Sequence, residues 1–85
     1  MSDNNPNTLH LIITSVAEPL FDGAVVSVTL PGTSGECTIL PHHEALVTTL
    51  KPGRITVRIS GNEEKTFEIT SGVVECSGNR VVVLL

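Results

Sequence analysis

Aromatic residues are nearly missing from this 85-residue chain, which has two Phe, no Trp and no Tyr. That shortage argues against stacking nucleobases on aromatic platforms and against an aromatic sugar-binding surface. Basic charge is also sparse. Five Lys and Arg are scattered against nine Asp and Glu, for a net charge of −4, so the stripe of positive charge that nucleic acid needs is absent. No apolar run approaches the ~20 residues of a membrane helix. No stretch has helical period, and beyond the amino end there is neither low complexity nor an internal repeat. Residues 1–8 are polar, with no basic region and no apolar core, and read as a loose tail rather than a signal peptide. Cysteine is limited to Cys37 and Cys76. With no export signal, these read as reduced thiols of a cytosolic compartment, buried as small hydrophobes, and a disulfide would need their Cβ atoms within bonding reach.

What is present is aliphatic. Apolar residues make up 40% of the chain, and the abundance of Val, Ile, Leu and Thr favours strands, since β-branched side chains pack well on a pleated surface. A chain of this length forms one domain and buries only about 60–65% of its unfolded surface, so a partner that covers part of it would add stability.

In chain order, the first strand is Leu9 to Thr14, with Leu9, Leu11 and Ile13 sharing a face. A short segment at Leu20-Phe21 is expected to stop at the turn dipeptide Asp22-Gly23. The next strand runs from Ala24 to Leu30, with Val26, Val28 and Leu30 together, followed by a turn at Gly32 to Gly35 and a strand from Glu36 to Leu40. Ala45 to Leu50 ends at Lys51-Pro52-Gly53, because Pro52 cannot donate to a ladder. Arg54 to Ser60 alternates most cleanly, with Ile55, Val57 and Ile59 inward. Glu64 to Thr70 mirrors it across Gly61-Asn62, which would set Arg54 or Arg58 opposite Glu64 or Glu68. Val73 to Cys76 and Arg80 to Leu85 form a last hairpin over Ser77-Gly78-Asn79. The pattern predicts an all-β fold, a two-sheet antiparallel β-sandwich (or flattened barrel) of about eight to ten short strands over residues 9–85.

Candidate chemistry is thin. His42 and His43 are adjacent, and in extended chain such neighbours point to opposite sides, so a shared metal is not expected. Gly32-Thr33-Ser34-Gly35 lacks the Lys and the helix N-terminus of a phosphate loop. No Ser, His and Asp, and no carboxylate pair, are arranged for catalysis. The expectation is no catalytic residue, no metal and no cofactor. The continuous apolar runs Leu11-Ile12-Ile13 and Val81 to Leu85 are another matter. An antiparallel strand with one wet face should alternate, so such runs mean burial on both faces or an apolar surface awaiting a partner.

The stretch Leu30-Pro31-Gly32-Thr33-Ser34-Gly35-Glu36, continuing to Leu40-Pro41-His42-His43, resembles the signature of the epsilon subunit of the F-type ATP synthase in its N-terminal β-sandwich domain. Phe21-Asp22-Gly23, Leu50-Lys51-Pro52-Gly53, Ser71 to Glu75 and Asn79-Arg80-Val81 extend the similarity over residues 8–85. The resemblance implies a two-sheet sandwich and a non-catalytic rotor subunit of the central stalk. Such a subunit couples gamma to the c-ring for ATP synthesis, peripherally on the cytoplasmic face of the energy-transducing membrane, and is a monomer when isolated. It implies that Ser34, Gly35 and Glu36 form a loop tip touching the polar loops of the c-ring, that one sheet packs against gamma, and that His43 belongs to the gamma side.

The chain departs from the family where Pro-Gly-His-Ala-Pro becomes Pro41-His42-His43-Glu44-Ala45, where Cys37 replaces a larger apolar residue, and where Thr38 replaces a Gly. Longer members continue past the position of Leu85 into a two-helix hairpin that inhibits ATP hydrolysis and in some binds ATP. The 85 residues here hold no such hairpin. The other reading of the same residues is a free-standing β-sandwich that binds a ligand or the edge of a peptide.

Overall fold

A computed structural model describes residues 7–42 and 45–85 of the chain. They form nine strands in sequence order: β1 (Leu9–Thr14), β2 (Pro19–Val25), β3 (Ser27–Gly32), β4 (Gly35–Ile39), β5 (Leu46–Leu50), β6 (Gly53–Arg58), β7 (Glu64–Ile69), β8 (Gly72–Ser77) and β9 (Arg80–Leu84). All belong to one hydrogen-bonded sheet of order β2-β1-β9-β8-β5-β3-β6-β7, with β4 paired to β3. All neighbours are antiparallel except β1 and β9, the first and last strands, which run parallel.

The sheet doubles over at β3. Residues Ser27 to Thr29 pair with β6, whereas Gly32, at the other end, pairs with Leu50 of β5. On one side of this hinge lie β2, β1, β9, β8 and β5; on the other lie β4, β3, β6 and β7. The inward residues of both halves form one core, including Leu11, Ile13, Val28, Leu30, Ile39, Ile55, Val57, Val74, Val81 and Val83. That core has no buried polar or charged residue among those described. The two Phe sit at its margin. Phe21 of β2 and Phe67 of β7, from strands at opposite ends of the sheet order, meet edge-to-face at 6.4 Å between ring centres, a favourable arrangement of ring quadrupoles.

Two of the sequence expectations fail near β2. Asp22-Gly23 is not a turn. β2 runs through it, with Asp22 opposite Ile12 and Gly23 opposite Leu11. Asp22 is held by His10, Oδ1 to Nε2 at 2.6 Å. The Phe21 ring lies over Gly23, 3.8 Å from where a Cβ would be, so tertiary packing overrides the local turn preference. The expected strand from Ala24 to Leu30 is instead broken by a bend at Val26, whose N–H donates to the Arg58 carbonyl at 2.8 Å. The bend shifts the alternation by one residue, so Val25 rather than Val26 is buried with Val28 and Leu30. The strands expected to reach Leu40 and Ser60 end sooner, at Ile39 and Arg58.

The expected charged cross-strand pairs are present. Arg54 faces Glu68 and Arg58 faces Glu64, at 2.9 and 3.2 Å. All four side chains are largely exposed, so each pair contributes less than about 1 kcal/mol. The β8–β9 hairpin turns on Gly78 (φ +57°) and Asn79 (φ +63°), the left-handed pair that two-residue hairpins prefer. Asn79 also ties three segments together. Its Oδ1 accepts from the His42 N–H at 2.7 Å, its Nδ2 donates to the Thr8 carbonyl at 2.7 Å, and its own carbonyl accepts from the His10 N–H at 3.1 Å.

Two substitutions separate Asn79's backbone role from its side-chain role. Asn79→Gly keeps the left-handed backbone and should lose about 1–3 kcal/mol with two hydrogen bonds. Asn79→Ala should cost about 1 kcal/mol more, because a Cβ opposes that conformation. Urea unfolding of both variants measures the difference, and equal midpoints would show that φ at Asn79 is not held by the fold.

Candidate functional site

The Ser34-Gly35-Glu36 tip follows from local geometry. β3 and β4 pair down to Gly32 opposite Gly35, leaving Thr33 and Ser34 as the turn. A Cβ on Gly32 would lie 2.8 Å from the Gly35 carbonyl oxygen, and Gly35 itself has φ +135°. Both positions therefore demand glycine. Ser34, Gly35 and Glu36 are all exposed, and Glu36 has no ion-pair partner among the described residues. Beneath the tip lies an open pocket of about 200 Å³, bounded by Gly35, Glu36, Cys37, Leu46 and Thr48. His43 lies outside the described residues. Its neighbour His42 takes a left-handed backbone, φ +67°, braced by Asn79.

The tip is anchored to the other half of the sheet. The Thr33 N–H donates to the Thr49 carbonyl at 3.0 Å, and the two hydroxyls meet at 2.9 Å. Thr49 is opposite Val73, Val73 opposite Leu84, and Leu84 opposite Thr14. One cross-strand row thus leads from the turn onto the outer face of β5, β8, β9 and β1.

That face is apolar. Val47, Val73 and Leu84 are 69%, 40% and 53% exposed, and Ile12 and Val82 are half-buried among them. Singly exposed aliphatics are ordinary, but here four adjacent strands, β5, β8, β9 and β1, contribute them to one face. The run Val81 to Leu85 hinted at it. Val47 could not be assigned to it without the β5–β8 pairing.

The outer face of the other half is different. Thr38, Thr29, Thr56 and Thr66 form one row across β4, β3, β6 and β7, with the Thr29 and Thr38 hydroxyls 3.0 Å apart. The Arg54–Glu68 and Arg58–Glu64 pairs flank that row. This surface pairs its Arg and Glu charges within itself and suits water.

No group of three or more His, Cys, Asp or Glu able to hold a metal occurs among the described residues. Both cysteines are free thiols, Cys37 half-buried at the pocket and Cys76 buried in the core. Burial pushes the Cys76 thiol above its ordinary value of 9.0, and the nearby Cys37 adds to the shift.

Residues 8–85 match the family model of the β-sandwich domain of the ATP synthase delta/epsilon chain. The ATP synthase epsilon chain of Psychrobacter arcticus is 40% identical over 77 residues, which are 91% of this chain and 56% of that protein. That of Delftia acidovorans is 37% identical over 78 residues, 92% of this chain and 56% of that protein. The chain therefore spans little more than half the length of these curated relatives. Among solved structures, a chain in the Euglena gracilis mitochondrial ATP synthase, an assembly of OSCP, F1 and c-ring, superposes with a TM-score of 0.86 at 26% identity. The match covers 93% of this chain and 51% of that one. A chain in the central stalk and c-ring of the Tetrahymena thermophila mitochondrial ATP synthase, at 20% identity and TM-score 0.73, shares the fold over 88% of this chain and 60% of its own length.

The two thiols give a check on the packing around the pocket. Cys76 holds its proton to higher pH when folded than when unfolded, so its stabilising contribution is complete below pH 9.0 and is lost as pH rises through the folded-state value. Urea unfolding should show stability falling as pH rises above 9.0, with a shallower fall in Cys76→Ala. An unchanged slope in Cys76→Ala would show that the thiol is not desolvated in the folded protein.

Proposed function

The chain belongs to the ATP synthase delta/epsilon β-sandwich family, and from that premise we propose that it works as a non-catalytic central-stalk part of an F-type ATP synthase, seated between gamma and the c-ring. The observation that carries this reading is the contrast between the two outer faces. One pairs its Arg and Glu charges and joins the Thr29 and Thr38 hydroxyls, while the other exposes Val47, Val73 and Leu84 on three neighbouring strands. An apolar patch of that kind on a small domain fits a permanent partner, and in this reading the partner is gamma. The Thr33–Thr49 link ties the turn that leads into Glu36 to β5, a strand of the same face. A single rigid body can then grip gamma with its face and the polar loops of the c-ring with its tip.

Glu36 is the c-ring contact in this reading. It is an exposed carboxylate on a turn stiffened by Gly32 and Gly35, suited to basic or amide groups on those loops. Ser34 and Gly35 shape the tip, and His43 sits on the gamma side. The domain moves no proton and cleaves no bond. It carries torque, works peripherally on the cytoplasmic side of the energy-transducing membrane as part of the complex, and is a monomer on its own. Named epsilon chains among the relatives and ATP synthase assemblies among the similar structures support the assignment.

The test is binding followed by coupling. The chain should co-elute with purified gamma subunit on size exclusion, and failure to do so would favour the free-standing binding module. In vesicles reconstituted with the complete synthase, Glu36→Arg should lower proton-driven ATP synthesis severalfold without shifting the domain's urea midpoint. Unchanged synthesis would remove Glu36 from the c-ring contact.

A further inference from the structure

The apolar face carries two charges that the molecule leaves unused. Glu75 lies in a cross-strand row that reads Val47, Glu75, Val82, Ile12, Asp22, from β5 through β8, β9 and β1 to β2, where Asp22 is already paired with His10. Arg80 is one step away, opposite Ser77 on the same two strands β8 and β9. Glu75, Ser77, Arg80 and Val82 line a shallow open depression of about 340 Å³. Neither Glu75 nor Arg80 takes part in an ion pair among the described residues, although they are diagonal neighbours on adjacent strands. The other outer face has the same two charge types and pairs them at once, Arg54 with Glu68 and Arg58 with Glu64.

This difference matters only if the face is covered. In water, an unpaired surface carboxylate is well solvated and costs nothing. Under an apolar partner it would lose that water, and an uncompensated charge there would cost more than the surrounding valines return. A surface built to be buried with Glu75 on it therefore selects a partner that brings the compensating charge.

We infer that Glu75 and Arg80 set the register of the docked partner. The partner is a protein surface whose apolar side chains meet Val47, Val73, Val82 and Leu84. It inserts one Lys or Arg against Glu75 and one acid or carbonyl against Arg80, with the depression receiving them. This inference rests on the reading that gamma covers this face, and it adds the chemistry of the contact and the residues that choose its orientation. Apolar contact alone is non-directional and would let a slab of valines slide or rotate by a strand. Two opposite charges at fixed positions exclude those alternatives, because a shifted partner leaves both buried without a mate.

The experiment uses the full chain and the purified gamma subunit, with association and dissociation rates measured by surface plasmon resonance. The variants are Glu75→Gln, Glu75→Lys, Arg80→Gln and Leu84→Asp, with Glu63→Gln, an exposed acid in the β6–β7 loop, as control. Circular dichroism and urea midpoints verify folding. Glu75→Gln should raise the dissociation rate about 30-fold or more, while leaving the association rate within a few-fold, the signature of a buried rather than a rim charge. Arg80→Gln should act in the same direction, Glu75→Lys should be worse than Glu75→Gln, and Glu63→Gln should match the wild type. If Leu84→Asp abolishes binding while the Glu75 and Arg80 variants bind like wild type, gamma does dock here but the charges do not orient it, and the inference is overturned alone. If Leu84→Asp also binds normally, or the wild type does not bind, the docking reading falls and takes the inference with it. Self-association of the chain that Glu75→Gln abolishes would assign the face to a second copy, which also overturns it.

Discussion

β3 is the strand on which the fold depends, because it is shared between two surfaces. Its beginning pairs with β6 and its end with β5, so one continuous ladder is forced to turn back on itself. That turn converts nine short strands into two layers with aliphatic side chains between them. The tightness is visible in the glycines. A Cβ on Gly53 would come within 3.0 Å of the Pro31 ring, and one on Gly72 within 2.9 Å of the Leu85 side chain. The strands meet at these corners too closely for any larger residue to enter without displacement.

Folding a single sheet over gives it two outer faces, and here they are unequal. Over β6 and β7, alternation yields Thr, Arg and Glu, and neighbouring strands bring opposite charges together. Over β8 and β9 it yields Val and Leu on both sides of the strand, with one acid and one base left apart. A domain of this size buries a limited share of its own surface, so covering the second face would both stabilise it and seat it. The hydrogen bonds between strands resist shear, and the Thr33–Thr49 link ties the tip to the face.

Some of this was legible along the chain. The alternation in Ile55-Thr56-Val57 and in Phe67-Glu68-Ile69 announced a hairpin, and the charge order announced Arg54 or Arg58 opposite Glu64 or Glu68, which the register resolves as Arg54 with Glu68 and Arg58 with Glu64. Gly32 and Gly35 marked the tip, because a left-handed or crowded backbone position excludes a side chain whatever surrounds it. Asp22-Gly23 misled because its turn chemistry is real but local. His10 across the strand and Phe21 beside it hold the pair extended. The break at Val26 was invisible as well, since Val25 and Val26 are equivalent by composition and only the hydrogen bond to Arg58 decides which faces inward.

By itself the sequence determined the class, the strand count within one or two, the glycine-bound tip and the family, since period, turn chemistry and spaced motifs are properties of neighbours along the chain. Tertiary structure alone decided which strands share a face. Leu84 and Val73 come from facing strands of a hairpin, but Val47 reaches them from a strand more than twenty residues earlier, and Glu75 becomes a lone charge among valines only once that pairing forms. Whether a residue is solvated or set in an apolar patch depends on neighbours that are distant in sequence, which no local pattern records.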